Sequence, residues 1–329
     1  MAKATAKSTK AKKTKEQPAP APETASEGPR RLKAPKYRSF QLQKRIKSSN
    51  ALPGAFRLLS QTFKTFARHW KLFVGITLIY GLLNIVLVQG FSAAGNLSDI
   101  KSTLDEIFTG NFGKLAGAAT AFVYLLSVSG NTLSPTAGAY QLVLTLVISL
   151  VLIWTLRQVY AKKAKKVRIR DGFYQGVGPL VQFILVFIVV GLQLIPFALG
   201  LLLYGTITSN GIAASPLEQI LWATVLFTTA ITSLYMISSS IFALYIVTLP
   251  GMTPVLALRS ARKLVLSRRW AVLRKVVFLP VALILLSGVV IIPLILFITP
   301  IAAWAFFGVT MLLLPLIHGY MYALYRSLL

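Results

Sequence analysis

Six long apolar runs, separated by polar gaps, organise this chain of 329 residues. A helix needs about 20 apolar residues to cross the hydrocarbon core of a bilayer, and each run is near or above that length. The runs cover residues 72–88, 142–160, 179–204, 220–248, 277–297 and 301–324. The pattern predicts an all-α, polytopic membrane protein with about six transmembrane helices, in which residues 51–329 form the transmembrane domain.

The gaps between the runs alternate in charge, and this alternation predicts a topology. Of the 35 Lys and Arg residues, only Lys101 and Lys114 fall in the gaps that follow the first, third and fifth runs. Cytoplasmic loops carry the excess of basic residues, so we expect both termini on the cytoplasmic side of the membrane. Residues 115–128 are apolar but short, and another crossing there would turn the basic loops outward. We interpret them as a re-entrant or interfacial segment.

The chain repeats one arrangement three times: a basic amphipathic segment, a span, an external gap and a second span. The first amphipathic segment, residues 53–70, ends in Trp70 and is expected to lie in the headgroup plane. In the second and third units a glycine precedes a proline at the same spacing, ending at Pro196 and Pro293. Because proline removes a backbone donor, both positions are predicted helix kinks. The three units cover residues 53–160, 167–248 and 254–326.

Composition supports a membrane protein and sets the N-terminal segment apart. The chain is 55% hydrophobic and has a formal net charge of +27. Residues 1–50 hold fourteen basic and three acidic residues among Ala, Thr, Ser and Pro. Such a segment buries too little apolar surface to fold, so we expect a disordered cytoplasmic tail. Three roles stay open for it: a solvated tail that aids orientation, a lipid-surface contact, or, as the least expected role, nucleic-acid binding.

The amphipathic segment of the third unit, residues 254–275, is the predicted functional surface. Its basic side chains can meet lipid phosphates while its apolar side chains face lipid or neighbouring helices. The alternative is that the charges only anchor the topology. The candidate headgroup contacts are Arg259, Arg262, Lys263, Arg268, Arg269, Trp270, Arg274 and Lys275.

This segment also carries a family resemblance. Ala257-Leu258, Ser260, Leu264-Val265 and Trp270 resemble the pattern of the membrane domain found beside bacterial glycerophosphoryl diester phosphodiesterases, and of the related YciC-like proteins. Ser267 stands where that pattern has glycine, and residues 168–176 form a weaker copy. The resemblance implies a helical membrane module that is often found alone. It does not imply phosphodiesterase activity, because the soluble catalytic barrel is absent.

The apolar runs hold few groups that could perform chemistry. None of the eight acidic residues lies within the middle of a run, and the chain has no cysteine. Carboxylate pairs, proton relays, metal sites and glycine-rich nucleotide loops are therefore not indicated, and we expect neither a cofactor nor a metal. The candidate intramembrane polar groups are Gln193, Thr228, Thr232 and His318. Packing hydrogen bonds are one role for them, and a polar conduit is the other.

These observations favour a non-enzymatic integral membrane protein that acts in membrane or envelope organisation or assembly through anionic-lipid contacts, with further membrane-protein partners unidentified. The alternative is a transporter or lipid-handling protein with a polar cavity between the repeat units. An intramembrane enzyme is the third hypothesis. It would need reactive groups that converge at one depth.

Overall fold

The computed structural model describes residues 52–88, 135–161, 167–212 and 215–329. The predicted tail at residues 1–50 and the predicted re-entrant or interfacial segment at residues 115–128 lie outside the described residues. Within the described ranges every regular element is a helix, which confirms the all-α prediction for this part of the chain.

The helices are numbered in chain order, and α2 continues into a π-helical turn at Asn84–Val88. They are α1 (Ala55–Arg68), α2 (Trp70–Leu83), α3 (Pro135–Tyr160), α4 (Ile169–Gly176), α5 (Leu180–Leu192), α6 (Ile195–Ser209), α7 (Pro216–Ser240), α8 (Ala243–Ile246), α9 (Pro254–Val265), α10 (Arg269–Phe297) and α11 (Thr299–Leu328).

Five helical stretches within the described residues are long and apolar enough to cross a membrane. They correspond to the first, second, fourth, fifth and sixth predicted runs, which confirms the apolar helical character of these runs. Their bounds are Trp70–Val88, Thr136–Tyr160, Pro216–Ile246, Arg269–Phe297 and Ile301–Leu328.

The third predicted run, at 179–204, differs from the other five because it does not form one of these long stretches and is divided between α5 and α6. The helix stops after Leu192 and resumes as α6 at Ile195. Pro196 is the second residue of α6, and its ring would clash with the carbonyl of Leu192, four residues earlier, in a continuous helix. Pro293, by contrast, lies inside α10, which continues through it. At its other end α5 forms an angle of 77° with α4.

Helices α6 and α7 pack against each other as an antiparallel hairpin. The side chain of Ser233 in α7 accepts a hydrogen bond from the backbone N–H of Phe197 at 3.1 Å, which satisfies a donor in the first turn of α6. Further along the hairpin, Gly200 lies so close to Thr229 that a Cβ at residue 200 would overlap the threonine hydroxyl. The hairpin therefore depends on a small residue at the helix contact, as is common between membrane helices.

Helix α3 lies at the centre of the bundle and α7 lies at its edge. In the most apolar window of each helix, 61% of the α3 residues are buried, against 6% of the α7 residues. The buried face of α3 includes Ile148, Leu152 and Leu156, all fully buried. Lipid-facing surface is the ordinary environment for an apolar helix that its neighbours leave uncovered.

Glycines allow two short helices to approach long ones closely. Gly172 and Gly176, one helical turn apart in α4, face α3, and a Cβ at residue 176 would lie 3.2 Å from the Cα of Val151. In α11, a Cβ at Gly319 would lie 2.7 Å from a methyl carbon of Thr62 in α1. Helices α1 and α4 are thus seated directly on long helices of the bundle.

Hydrogen bonds tie together the helix ends that carry the basic residues. Arg157 in α3 donates from Nη1 to the carbonyl oxygen of Thr248 at 2.8 Å. Arg326 in α11 donates from Nη1 to the carbonyl oxygen of the last residue of α3 at 3.0 Å. The Tyr320 hydroxyl donates to the carbonyl oxygen of Lys275 at 3.1 Å. We call this end of the bundle, where α3, α8 and α11 finish and α10 begins, the basic end.

Candidate functional site

The predicted headgroup residues of α9 are exposed, as a surface site requires. Helix α9 begins with a cap in which the Thr253 side chain accepts from the backbone N–H of Leu256 at 3.4 Å. Its face toward the bundle consists of Ala257, Ala261 and Val265, each fully buried. The opposite faces present the exposed side chains of Arg259, Arg262 and Lys263.

The first turn of α10 brings basic and aromatic side chains together. Arg268 and Arg269 are partly buried, and Trp270 is 79% exposed. The Arg269 guanidinium lies over the ring of Tyr235, with its carbon 5.1 Å from the ring centroid, and Nη1 also donates to the Tyr235 hydroxyl. An exposed tryptophan beside arginines suits the interface between headgroups and acyl chains.

Two predicted contacts in the next turn of α10 differ from each other. Arg274 is exposed, but Lys275 is only 6% exposed and lies among the buried residues of the bundle. Position 275 faces inward on α10, and the Tyr320 hydroxyl of α11 donates to the Lys275 carbonyl oxygen. Lys275 therefore packs inside the bundle, and its side chain is not exposed on the surface as a headgroup contact would be.

Two further amphipathic helices present similar chemistry at the basic end. In α1, the Thr65 hydroxyl lies 3.2 Å from the hydroxyl of Tyr160 at the end of α3. Trp70, just after α1, is 58% exposed, and the Lys71 ammonium is 5.9 Å from its ring centroid. In α4, the Arg170 guanidinium carbon is 5.8 Å from the ring centroid of the exposed Tyr174. A cation thus lies beside an exposed aromatic ring at the start of α2, directly after α1, and within α4.

The predicted intramembrane polar groups do not converge on one another. The Gln193 side chain, at the break between α5 and α6, accepts a hydrogen bond from the hydroxyl of Ser240, at the end of α7. Thr228 and Thr232 are exposed on α7, and each donates to the carbonyl oxygen four residues earlier on its own helix, at 2.8 and 2.9 Å. A threonine hydroxyl that donates to a carbonyl of its own helix needs no hydrogen-bond partner on another helix.

His318 has a different partner in the bundle. Its Nδ1 lies 3.1 Å from the hydroxyl of Tyr245, and both side chains are buried. The pair joins α8 to α11 near the basic end. None of Gln193, Thr228 and Thr232 is among the hydrogen-bond partners of this pair, so the four predicted polar groups occupy three separate environments.

A polar chain that the sequence pattern did not reveal links α2 and α3. The Asn84 side chain donates from Nδ2 to Gln141 Oε1 at 2.5 Å, and Gln141 Nε2 donates to the Tyr80 hydroxyl at 3.2 Å. Asn84 is fully buried, and its Oδ1 has no hydrogen-bond partner among the described residues. Asparagine within an apolar run was the available signal, but nothing in the sequence identified Gln141 as its partner.

An aromatic cluster near the basic end also escaped the sequence reasoning. The rings of Tyr245 and Tyr325 stack with centroids 6.1 Å apart, and the Tyr322 and Tyr325 centroids are 5.9 Å apart. The available signal is a repeated motif: Phe-Ala-Leu-Tyr at 242–245 recurs as Tyr-Ala-Leu-Tyr at 322–325, and Trp-Thr-Leu-Arg stands at 154–157. These motifs lie near the ends of the three predicted units, and the threefold repeat stays a prediction.

Among the described residues, no group of side chains is arranged to hold a metal. Within the four described ranges no three His, Cys, Asp or Glu side chains come together as metal ligands. What the geometry offers is a set of cations beside exposed aromatic rings, together with buried polar pairs that are bonded to each other.

Comparisons with known proteins add no relative. No protein-family model matches the chain, and no curated protein or solved structure matches it.

Proposed function

We propose that this protein is an integral membrane protein of the bacterial cytoplasmic membrane whose basic end faces the cytoplasm and binds anionic lipid headgroups. In this proposal it acts without catalysis, in the organisation of the membrane or the assembly of the envelope. The observation that carries the proposal is the concentration of exposed Arg and Lys on α1, α4, α9 and the first turns of α10, with exposed aromatic rings on α1, α4 and α10.

Electrostatics makes this surface suited to an anionic leaflet. Each Lys or Arg near such a surface contributes about 1 kcal/mol of attraction, which falls off within a Debye length. The exposed Arg259, Arg262 and Lys263 on α9 alone would therefore contribute about 3 kcal/mol. Exposed Leu256 and Leu266 on the same segment can enter the acyl boundary while the long basic side chains reach the headgroups.

The transporter or lipid-handling alternative has weaker support. It requires polar side chains that line one cavity between units, whereas Gln193 bonds Ser240 and His318 bonds Tyr245. Thr228 and Thr232 bond their own helix. The resemblance to the membrane domain beside glycerophosphoryl diester phosphodiesterases stays a prediction, and a lipid-contacting membrane module is consistent with it.

Lipid enrichment around the full-length protein tests the proposal. The protein is reconstituted in nanodiscs that contain equal amounts of phosphatidylglycerol and phosphatidylcholine, and the lipids retained after detergent extraction are counted by mass spectrometry. We expect phosphatidylglycerol to be enriched, and the enrichment to fall as salt screens the charges.

A charge-neutral variant supplies the comparison. Arg259→Gln, Arg262→Gln and Lys263→Gln together remove three exposed charges and leave the basic N-terminal residues unchanged. The enrichment should fall in this variant. Equal retention of the two lipids by the unmodified protein would contradict the proposal.

A further inference from the structure

The α6–α7 hairpin differs from the rest of the bundle in how little of it is buried. Across these two described helices, five residues are buried: Gly200, Ile207, Ser233, Ser238 and Ser240. Gly200 and Ser233 contact the other helix of the hairpin. Ser238 and Ser240 lie in the last turn of α7, where the hairpin joins the bundle. The hairpin is therefore attached mainly at this end, which we call its base.

Both helices of the hairpin are interrupted at the base. Between α5 and α6, the Leu194 N–H donates to the carbonyl three residues earlier, at 2.9 Å, instead of four residues earlier. Between α7 and α8, the Leu244 N–H does the same at 3.3 Å. The two interruptions lie at one level, because the Ser240 hydroxyl bonds the Gln193 side chain. Such ends of helices are the positions that absorb a change of direction when one part of a protein moves against another.

Lipid surroundings weaken the attachment of the hairpin beyond its base. Moving apolar helix surface from a neighbouring helix into lipid costs little, because acyl chains are as apolar as the side chains that they contact. Apolar side chains of the hairpin are already exposed, among them Leu202 at 62% and Phe227 at 66%. Specific contacts between side chains therefore decide where the hairpin lies.

One such contact, between Tyr235 of α7 and Arg269 of α10, lies more than one helical turn from the base. The guanidinium carbon is 5.1 Å from the centroid of the tyrosine ring, and Nη1 donates to the tyrosine hydroxyl. The Arg269 Nε is shielded from solvent and has no acceptor among the described residues, which is unfavourable for a buried donor. This penalty offsets part of the attraction, so the net free energy of the contact is modest.

We propose that the α6–α7 hairpin pivots as one body about its base, and that the contact between Tyr235 and Arg269 holds it closed against α10. The contacts of Gly200 and Ser233 within the hairpin keep its two helices together during the motion. Opening separates α7 from α10, which belong to the second and third predicted units, and admits acyl chains between them.

Distances between spin labels test the pivot directly. The chain has no cysteine, so introduced cysteines alone carry the labels. In full-length protein in nanodiscs, Ser209→Cys at the end of α6 is paired with Ser267→Cys between α9 and α10; both positions are exposed. Helix α6 has 15 residues and is about 22 Å long, so a rotation at the base moves its far end measurably. Electron paramagnetic resonance should give a short and a long distance for this pair.

A control pair and three substitutions sharpen the measurement. Ser60→Cys in α1 with Ser267→Cys lies outside the hairpin and should give one narrow distance. Tyr235→Leu removes the ring and the hydroxyl, and it should raise the ratio of the long to the short distance about tenfold. Arg269→Gln removes the same contact from α10 and should give a similar shift. Phe227→Leu, at an exposed aromatic position of α7, should change the ratio less than about twofold.

Three results would overturn the proposal. The first is a single narrow distance for the hairpin pair both with and without Tyr235→Leu. The second is an equally broad distribution for the control pair, because the motion would then not be confined to the hairpin. The third is an unchanged ratio in Tyr235→Leu and Arg269→Gln; if one of these variants does not fold, the other decides. None of these results depends on phosphatidylglycerol enrichment, so the pivot and the proposed function can fail separately.

Discussion

Helix α4 packs so closely on α3 that adding one carbon at Gly176 should destabilise the protein. In Gly176→Ala, the new Cβ would lie 3.2 Å from the Cα of Val151, 3.3 Å from the carbonyl oxygen of Leu150 and 3.3 Å from the Cβ of Trp154. Two of these three neighbours are backbone atoms of α3, which cannot turn aside as a flexible side chain can. Helix α4 must therefore shift away from α3.

The expected loss follows from the values for overpacked sites. Forcing one extra carbon into a well-packed contact costs about 1–3 kcal/mol. Replacing glycine by alanine inside a helix stabilises the helix by up to about 1 kcal/mol. Residue 176 is the last residue of α4, so the stabilisation there is smaller. We expect Gly176→Ala to lower the free energy of unfolding by about 1–2 kcal/mol.

A matched control is available in the neighbouring helix. A Cβ at Gly191, near the end of α5, would meet no atom within 4 Å. Gly191→Ala should therefore leave the free energy of unfolding unchanged or raise it by up to about 1 kcal/mol. The assay is unfolding by SDS titration of the detergent-solubilised protein, followed by circular dichroism. Equal stability of the two variants, or a larger loss in Gly191→Ala, would refute the packing argument.

Two other predictions concern hydrogen bonds between units. Arg157→Gln removes the 2.8 Å bond to the Thr248 carbonyl, and the same titration should show a loss of about 1.5–3 kcal/mol; a change below about 0.5 kcal/mol would show that this bond does not tie the units. Tyr245→Phe and His318→Phe each break the 3.1 Å contact, so a double-mutant cycle should give a coupling energy of about 0.5–2 kcal/mol. Additive single effects would mean that the two side chains contribute independently.

The apolar runs were readable from the sequence because length and hydropathy are local properties. Five of the six runs have helical counterparts that are long and apolar enough to span a membrane, and the predicted amphipathic segment at 53–70 contains α1. The charge alternation also agrees with where two arginines bond, since Arg157 donates to the Thr248 carbonyl and Arg326 to the Tyr160 carbonyl, both at the basic end of the bundle.

Whether a helix continues or breaks was harder to predict from the sequence, because a break is stabilised by hydrogen bonds that other helices supply. Pro196 and Pro293 stand in similar sequence contexts, yet a helix break precedes only the first. At that break Ser233 accepts from the Phe197 N–H, and Ser240 bonds the Gln193 side chain. Such compensation comes from another helix and cannot be seen in a local pattern.

The partners of polar groups were not predictable for a related reason. Tyr245 and His318 are separated by 73 residues, and Asn84 and Gln141 by 57. A polar residue in an apolar run indicates that a partner is needed, but the partner depends on how the helices are rotated and staggered in the bundle. Lys275 shows the same limit: only the rotation of α10 determines that it points inward while Arg274 points outward.

The central claim is that the basic end faces the cytoplasm and the α6–α7 turn faces the opposite side. The chain has no cysteine, so one introduced cysteine gives an unambiguous signal. Ser209 at the end of α6 and Ser267 between α9 and α10 are both exposed and suit this substitution. In intact cells, a membrane-impermeant maleimide should label Ser209→Cys, whereas Ser267→Cys should react only after the inner membrane is permeabilised. Labelling of Ser267→Cys from outside, or of both positions equally in intact cells, would contradict the account.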